Sequence, residues 1–299
     1  MADLYLGIGA LMLLMIGMFF LALWLTRRAP ALVCDVLASL TVVGIAVFAR
    51  WVWEQPVMAR LLPFSNLIIV SNWFPLAAGF LAGLVWRRIG DKPERIPGVG
   101  SFEALPRRIF ATGVLAAAGL YAAMAPLVGR PPLCHEAWDG DLCLQTSPAT
   151  CSAAAAATLL QYYGVYAPEQ ELADLCLTRR GTNWKGLYRG LTLKAAPLGL
   201  RVEVLDTTID DLARTLNEPC ILLCELEVDN YEASGEYERA GWVPGQPHSV
   251  VLWDIVGDQY LVADPAAGVE LWTRQALETL WQGQALRMTV RGSVLTSAS

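Results

Sequence analysis

Cys151 is the residue in this sequence best placed to act as a nucleophile. It follows the loop 144–150 and begins an alanine-rich stretch, residues 151–163, that is stopped by Gly164. The pattern predicts a helix with the thiol at its N-terminus. There, unpaired N–H groups and the helix dipole favour thiolate over thiol. Gln145 lies six residues upstream and can bring its amide N–H beside the same sulfur. A donor in that place would hold the oxyanion that forms when a thiolate attacks a carbonyl. The chemistry is thiol acyl transfer, and it still needs a base.

The chain has only two histidines, His135 and His248. His135 sits in a polar loop bracketed by Cys134 and Cys143, whose nine-residue separation suits a disulfide in an oxidising compartment. No second Cys/His pair at zinc-finger spacing follows, so no metal is expected there. His248 opens a predicted strand, residues 249–253. Gly257-Asp258 then makes a hairpin turn, and residues 259–263 return to end in Asp264-Pro265. The two ends of a hairpin are neighbours, so Asp264 can hold and orient the His248 imidazole. Cys151, His248, Asp264 and Gln145 then supply nucleophile, base, orienting carboxylate and oxyanion donor, and this chemistry needs no cofactor.

The elements that must carry these residues follow from the local pattern. Pro168, with Glu169 and Glu171 behind it, starts a second helix to about residue 178. Thr182 or Asn183 caps a third, residues 184–197. Residues 200–205 alternate as a strand, and Thr208 caps a short helix over 209–216. Residues 220–227 read as a buried strand with Cys220 and Cys224 on one core face. A polar, acidic loop over 228–246 precedes His248. After the hairpin come a strand over 268–272, a helix over 274–281 and a strand around 286–290. Helices first and an antiparallel sheet second define an α+β domain.

The first half has a different character. Of 299 residues, 55% are hydrophobic and only 17% charged, too apolar for one soluble domain. Four apolar runs, 4–25, 31–49, 64–86 and 109–128, are long enough to cross a bilayer of about 30 Å. Asp35 lies near an interface, where snorkelling accounts for it. Asn66, Ser71, Asn72 and Pro75 in the third run fit packing within a bundle. The first run lacks the basic start and small-residue cleavage site of a signal peptide. The loop over 90–106 reads as solvated and without chemistry. Residues 1–130 are thus expected to be a four-span membrane region and 131–299 the soluble domain.

Charge sets the orientation. Arg27, Arg28, Arg87, Arg88, Lys92, Arg95, Arg107 and Arg108 lie in the loops after the first and third runs. Only Arg50, Arg60 and Arg130 lie on the other side. The basic side belongs in the cytoplasm, which leaves the soluble domain outside. Residues 1–130 carry a net charge of +5 and the remainder −11. An acidic domain with no basic stripe is not a nucleic-acid binder. The expected partners are a peptide or protein substrate and membrane lipid.

The combination of Gln145 and Cys151 on a helix, Tyr162-Tyr163-Gly164, Gly181-Thr182-Asn183 with Gly186-Leu187, His248-Ser249-Val250-Val251-Leu252 and Val262-Ala263-Asp264-Pro265 resembles the C39 peptidase domain. The resemblance covers about residues 145–288. It implies a papain-like fold and a cysteine peptidase with Cys151 as nucleophile, His248 as general base, Asp264 as orienting residue and Gln145 as oxyanion donor. The family cleaves leader peptides in bacteriocin-processing transporters, which implies a bacterial inner membrane. Two features depart from its pattern. Thr150-Cys151-Ser152 stands where the family has Asp-Cys-Gly, and no Gly-x-x-x-x-Gly-Lys-[Ser/Thr] phosphate loop occurs, so this chain holds no ATP-binding domain. The alternatives are a non-catalytic peptide-binding domain of the same fold and a papain-like acyl or amide transferase using the same thioester.

Overall fold

The computed structural model describes residues 1–90, 104–226, 237–239 and 241–290. Most of the basic linker after the third apolar run, and the acidic stretch 227–236 with residue 240, lie outside the described residues. The chain divides into two compact units, Met1–Met58 with Asn66–Val128 and Ala59–Ser65 with Gly129–Ser299.

The first unit is helical: α1 (Ala2–Thr26), α2 (Ala31–Trp51), the start of the short α3 (Val57–Leu61), whose last three residues belong to the second unit, α4 (Leu67–Val70), α5 (Phe74–Gly90) and α6 (Ala104–Met124). Four helical stretches are long and apolar enough to cross a membrane, Ala2–Thr26, Ala31–Trp51, Leu67–Gly90 and Leu105–Leu127. The third is not the continuous run the sequence predicts, because the chain leaves the helix between Val70 and Phe74. Asn72 is the cause. Its Oδ1 accepts from the Phe74 N–H at 3.2 Å, while its Nδ2 donates to the Ala122 carbonyl at 2.8 Å. One amide thus satisfies the new helix start and joins it to α6. Asp35 does not snorkel alone. Arg88 on α5 meets it in a fork, Nε to Oδ1 at 2.8 Å and Nη2 to Oδ2 at 3.1 Å. Gly79 and Gly83, one helical turn apart, bring α5 against the backbone of α1. A Cβ at either would stand 2.2 Å from the Met15 carbonyl oxygen or 2.5 Å from that of Phe19.

The second unit opens with a two-strand ribbon, β1 (Trp138–Asp139) and β2 (Leu142–Cys143). Trp138 faces Cys143, and the Leu144 N–H to Ala137 carbonyl bond extends the pairing. The disulfide that the spacing allows is not formed: the Cys134 thiol turns to the Pro132 carbonyl at 3.7 Å and that of Cys143 to the Leu144 carbonyl at 3.9 Å. Both cysteines are free thiols. Three helices follow, α7 (Cys151–Tyr162), α8 (Glu169–Leu175) and α9 (Trp184–Ala195). Gly164 ends the first at φ +72°, a left-handed conformation that suits glycine. The Asn183 side chain caps α9 by accepting from the Lys185 N–H.

Then comes the sheet: β3 (Leu200–Asp206), α10 (Ile209–Thr215), β4 (Cys220–Glu225), β5 (Pro247–Val256), β6 (Gln259–Asp264), β7 (Gly268–Thr273), α11 (Arg274–Leu280) and β8 (Trp281–Val290). The strand order is β3-β8-β4-β5-β6-β7, with every neighbouring pair antiparallel. The fold is α+β, as expected. The last strand is longer than predicted because its first residues pair with β3 and β4. Gly283, at φ +78°, carries the chain through the irregularity opposite Leu223 and Cys224. One sheet face buries Leu222, Cys224, Val250, Leu252, Val262 and Trp272 beneath Leu212 of α10 and Leu277 of α11. The opposite face is covered by α7, which is fastened at both ends. The Ser152 hydroxyl meets that of Ser249 at 2.8 Å, and the Tyr163 hydroxyl donates to the Met288 carbonyl at 2.8 Å.

The helices are packed tightly enough for a single methyl to matter. A Cβ at Gly186 of α9 would lie 2.2 Å from the Cys176 backbone carbonyl. Gly186→Ala is therefore expected to destabilise the second unit by roughly 1–3 kcal/mol. Thermal unfolding of the full chain in detergent would read this as a lowered transition, and an unchanged one would contradict the packing.

Candidate active site

Cys151 is the first residue of α7 because the turn before it is fixed by its own side chains. The Thr150 hydroxyl donates to the Ser147 carbonyl at 2.8 Å, and the Thr150 N–H donates to the same oxygen at 3.1 Å. With its hydroxyl turned back, Thr150 makes no side-chain cap on α7. The helix amides beside the sulfur are thereby left to a ligand.

His248 is the second residue of β5, and Asp264 is the last of β6. The hairpin register pairs Val251 with Ala263 and Leu252 with Val262, which brings the strand ends together. Nε2 of His248 lies 2.8 Å from Oδ1 of Asp264. An ionised carboxylate only accepts, so Nε2 carries the proton and Nδ1 is left for the sulfur. The imidazole also acts on the Cys151 thiol and draws it down. Side chains alternate along a strand, so Ser249 points the other way, to the Ser152 hydroxyl, while its backbone N–H adds to the pull on the Cys151 thiol. All three groups are enclosed: Cys151 is 3% exposed, His248 5% and Asp264 0%.

Burial alone pushes the Cys151 thiol up. The hydrogen bond and charge of His248, the Ser249 N–H and the Ser152 hydroxyl outweigh it and bring the thiol below its ordinary 9.0. For His248, burial pulls the imidazolium down, but the bonds to Asp264 and Cys151 lift it from 6.5 to about 9. The two shifts have opposite signs and open a window in which the pair is thiolate and imidazolium. Cys224, opposite His248 in the β4–β5 register, goes the other way. Burial first, then Asp264 and Cys151, hold its thiol well above 9.0. Cys224 and Cys220 are core residues, as expected.

Gln145 is held by its backbone, whose N–H donates to the Pro265 carbonyl at 2.8 Å. The loop that carries it is thus joined to the residue after Asp264. Its side-chain Oε1 is buried without a partner among the described residues, and its Nε2 lies 4.0 Å from a Cβ position at Gly241. The next residue, Thr146, is clamped by Glu169 at the start of α8. Glu169 is 1% exposed and accepts from the Thr146 N–H at 3.0 Å and its hydroxyl at 2.7 Å. His135 is exposed and lends only its backbone N–H, to the Thr146 hydroxyl at 3.1 Å. It stands outside the site. Among the described residues no group of three or more His, Cys, Asp or Glu side chains is arranged to hold a metal.

Sequence reasoning missed Trp242, Glu169 and Ser249. Glu169 read as a residue of the first helical turn and Ser249 as a strand residue, while Trp242 fell inside a polar loop. Trp242 donates Nε1–H to Oδ2 of Asp264 at 2.6 Å, and its ring lies over His248 with centroids 4.1 Å apart.

The profile of the Peptidase C39 family matches residues 140–233, a segment that includes Gln145 and Cys151 and stops short of His248 and Asp264. No curated protein matches the chain. Among solved structures, the chain is similar to the peptidase domain of Streptococcus ComA, a bi-functional ABC transporter involved in quorum sensing. The identity is 19% and the TM-score 0.39, over 49% of this chain and 96% of that one. It is also similar to a double glycine motif protease from an AMS/PCAT transporter, solved with the leader peptide. There the identity is 21% and the TM-score 0.38, over 54% of this chain and 94% of that one. The family pattern is thus matched over residues 140–233, and the second unit is α+β, with helices first and an antiparallel sheet after them.

If the thiol is held by these contacts, its reactivity must show it. The pH profile of iodoacetamide alkylation at Cys151 is expected to have its midpoint below 9.0. Ser152→Ala, which removes one stabilising hydroxyl, should move that midpoint up. A wild-type midpoint at the ordinary thiol value would contradict the pairing with His248.

Proposed function

We propose that this protein is a membrane-anchored cysteine peptidase. The observation that carries the proposal is the 2.8 Å pairing of Asp264 with His248 beside a thiol, at the start of α7, that His248 helps to draw below its ordinary value. The Cys151 thiolate attacks the carbonyl carbon of a peptide bond, and the π electrons of the carbonyl move to oxygen. The Gln145 amide and an N–H of the first turn of α7 hold that oxyanion. As the intermediate collapses, the His248 imidazolium gives its proton to the departing amine and a thioester remains on Cys151. His248 then takes a proton from water, the resulting hydroxide attacks the thioester, and the acid leaves as the thiolate is restored. Asp264 keeps the imidazole in one tautomer throughout.

The setting belongs to the same proposal. Residues 1–130 form the membrane region and 131–299 the peptidase domain. The excess of arginine and lysine in the loops after the first and third apolar runs supports a domain on the outer side of a bacterial inner membrane. A substrate there is a peptide or protein that has already crossed or is exposed beyond that membrane.

The pH dependence has a definite sign. His248 must be protonated to release the amine, so kcat/KM should fall as pH rises through about 9. Cys151 must be ionised, so kcat/KM should also fall toward acid, below the depressed thiol value. Cys151→Ala should abolish hydrolysis, and Gln145→Ala should lower kcat by about 10²–10³-fold. The decisive experiment uses an impermeant electrophile on intact cells, together with an assay for new carboxyl termini. Labelling of Cys151 from outside with release of acid is expected. Full hydrolysis by Cys151→Ala would remove the enzyme reading, and labelling that requires permeabilised inner membrane would reverse the orientation.

A further inference from the structure

Asp264 is fully buried, and a buried carboxylate stays ionised only while its lone pairs are met. Two of its partners are on Oδ1, the His248 Nε2–H at 2.8 Å and the Ala266 N–H at 2.8 Å. Among the described residues, the hydrogen bond to Oδ2 comes from Trp242, through its indole Nε1–H at 2.6 Å. The same indole lies over the imidazole at a centroid distance of 4.1 Å and an interplanar angle of 39°. Trp242 is itself 3% exposed and packs against Tyr237 and Trp272. One side chain therefore touches both members of the His–Asp couple, whereas the bonds and ring contacts of the neighbouring Trp272, among the described residues, go to Glu270, Tyr237 and Trp242. The Trp272 N–H is spent on Glu270 at 2.7 Å.

We propose that Trp242 is a positioning residue of the site: its indole N–H fixes the Asp264 carboxylate beside His248, and its ring covers the imidazolium. It acts through Asp264 and His248 without contact with the reacting atoms. Without the N–H, Oδ2 loses its partner among the described residues, and nothing there keeps the carboxylate turned toward His248. A displaced Asp264 no longer favours the imidazolium, and without the imidazolium the Cys151 thiolate loses its partner. The ring adds to this, because an aromatic face over a cation favours its charged form. Among the described residues, the other titratable groups acting on the couple are Cys151 and, from β4, Cys224, whose thiol burial keeps neutral. The reactive pair therefore depends on a residue that belongs to neither partner.

The inference rests on the proposed peptidase site but is tested on the thiol alone. The full chain in detergent is alkylated with iodoacetamide over a range of pH, as wild type and as Trp242→Phe, Trp272→Phe, Asp264→Ala and Asp264→Ala with Trp242→Phe. Trp242→Phe keeps a ring and removes the N–H. It is expected to raise the midpoint of Cys151 alkylation by about one pH unit, a roughly tenfold loss of rate on the acid side. Trp272→Phe should leave the midpoint unchanged, and Trp242→Phe should add nothing once Asp264 is alanine. If thermal melts show that Trp242→Phe does not fold, Trp242→Tyr takes its place. Its hydroxyl offers the carboxylate a donor at a different reach, and a midpoint above wild type is again expected. A wild-type midpoint retained by the folded variant, an equal shift in Trp272→Phe, or an undiminished effect in the Asp264→Ala background each overturns the proposal. A wild-type thiol that titrates at its ordinary value overturns the peptidase reading instead, so the two failures are distinct.

Discussion

A charged carboxylate sealed inside the domain is the constraint on which the site depends. Asp264 has no exposed surface, and an isolated buried charge costs several kcal/mol. It is tolerable because three N–H groups converge on it, from a strand start, from a loop and from the turn just after it. Each donor comes from a different piece of chain, so the hairpin register, the loop at 242 and the turn at 266 must all be correct together. A one-residue slip between β5 and β6 would turn His248 to the opposite face and leave the carboxylate alone. Meeting this one charge also orients the imidazole, so the site and the fold around it share a single requirement.

Burial explains the ordinary cysteines, and departure from it marks the unusual one. Cys176 and Cys220 are as enclosed as Cys151, and burial holds both thiols up at about 12. Cys151 lies below 9.0 in a comparably dry environment. Enclosure is the same for all three. The difference is the His248 ring and the Ser249 N–H at the end of β5. Low dielectric strengthens those contacts as much as it penalises the bare charge. The three cysteines therefore separate by their neighbours and not by their depth.

The residues that sequence could find are those that sit at local punctuation. Cys151 follows a loop and opens an alanine run, and the Gly257-Asp258 turn brings His248 and Asp264 into one hairpin. These signals need only a few neighbours to be read. Trp242, Glu169 and Ser249 act on partners 22, 23 and 97 residues away, and no periodicity encodes such distances. The same limit explains the misreadings. The spacing of Cys134 and Cys143 does not say where the two thiols point, to the Pro132 and Leu144 carbonyls. The start of β8 is hidden because Gln282, Gly283 and Gln284 break the apolar alternation, and only pairing with β3 and β4 keeps that segment in the sheet. The break at Asn72 lies inside an apolar run and becomes visible only with Ala122 beside it.

Ser152 can now be understood through its partner. A glycine there, as in the related pattern, would leave the Ser249 hydroxyl buried on the α7 face without the bond it makes now. With serine in both places, the hydroxyls meet at 2.8 Å and fasten the first turn of α7 to β5. That is the point where the Ser249 N–H and His248 act on the Cys151 thiol. The Ser152 hydroxyl lies 4.0 Å from the sulfur and adds to the pull that favours the thiolate. The departure at 152 and the residue at 249 are therefore one adjustment. It holds together the helix that brings the nucleophile and the strand that brings the base.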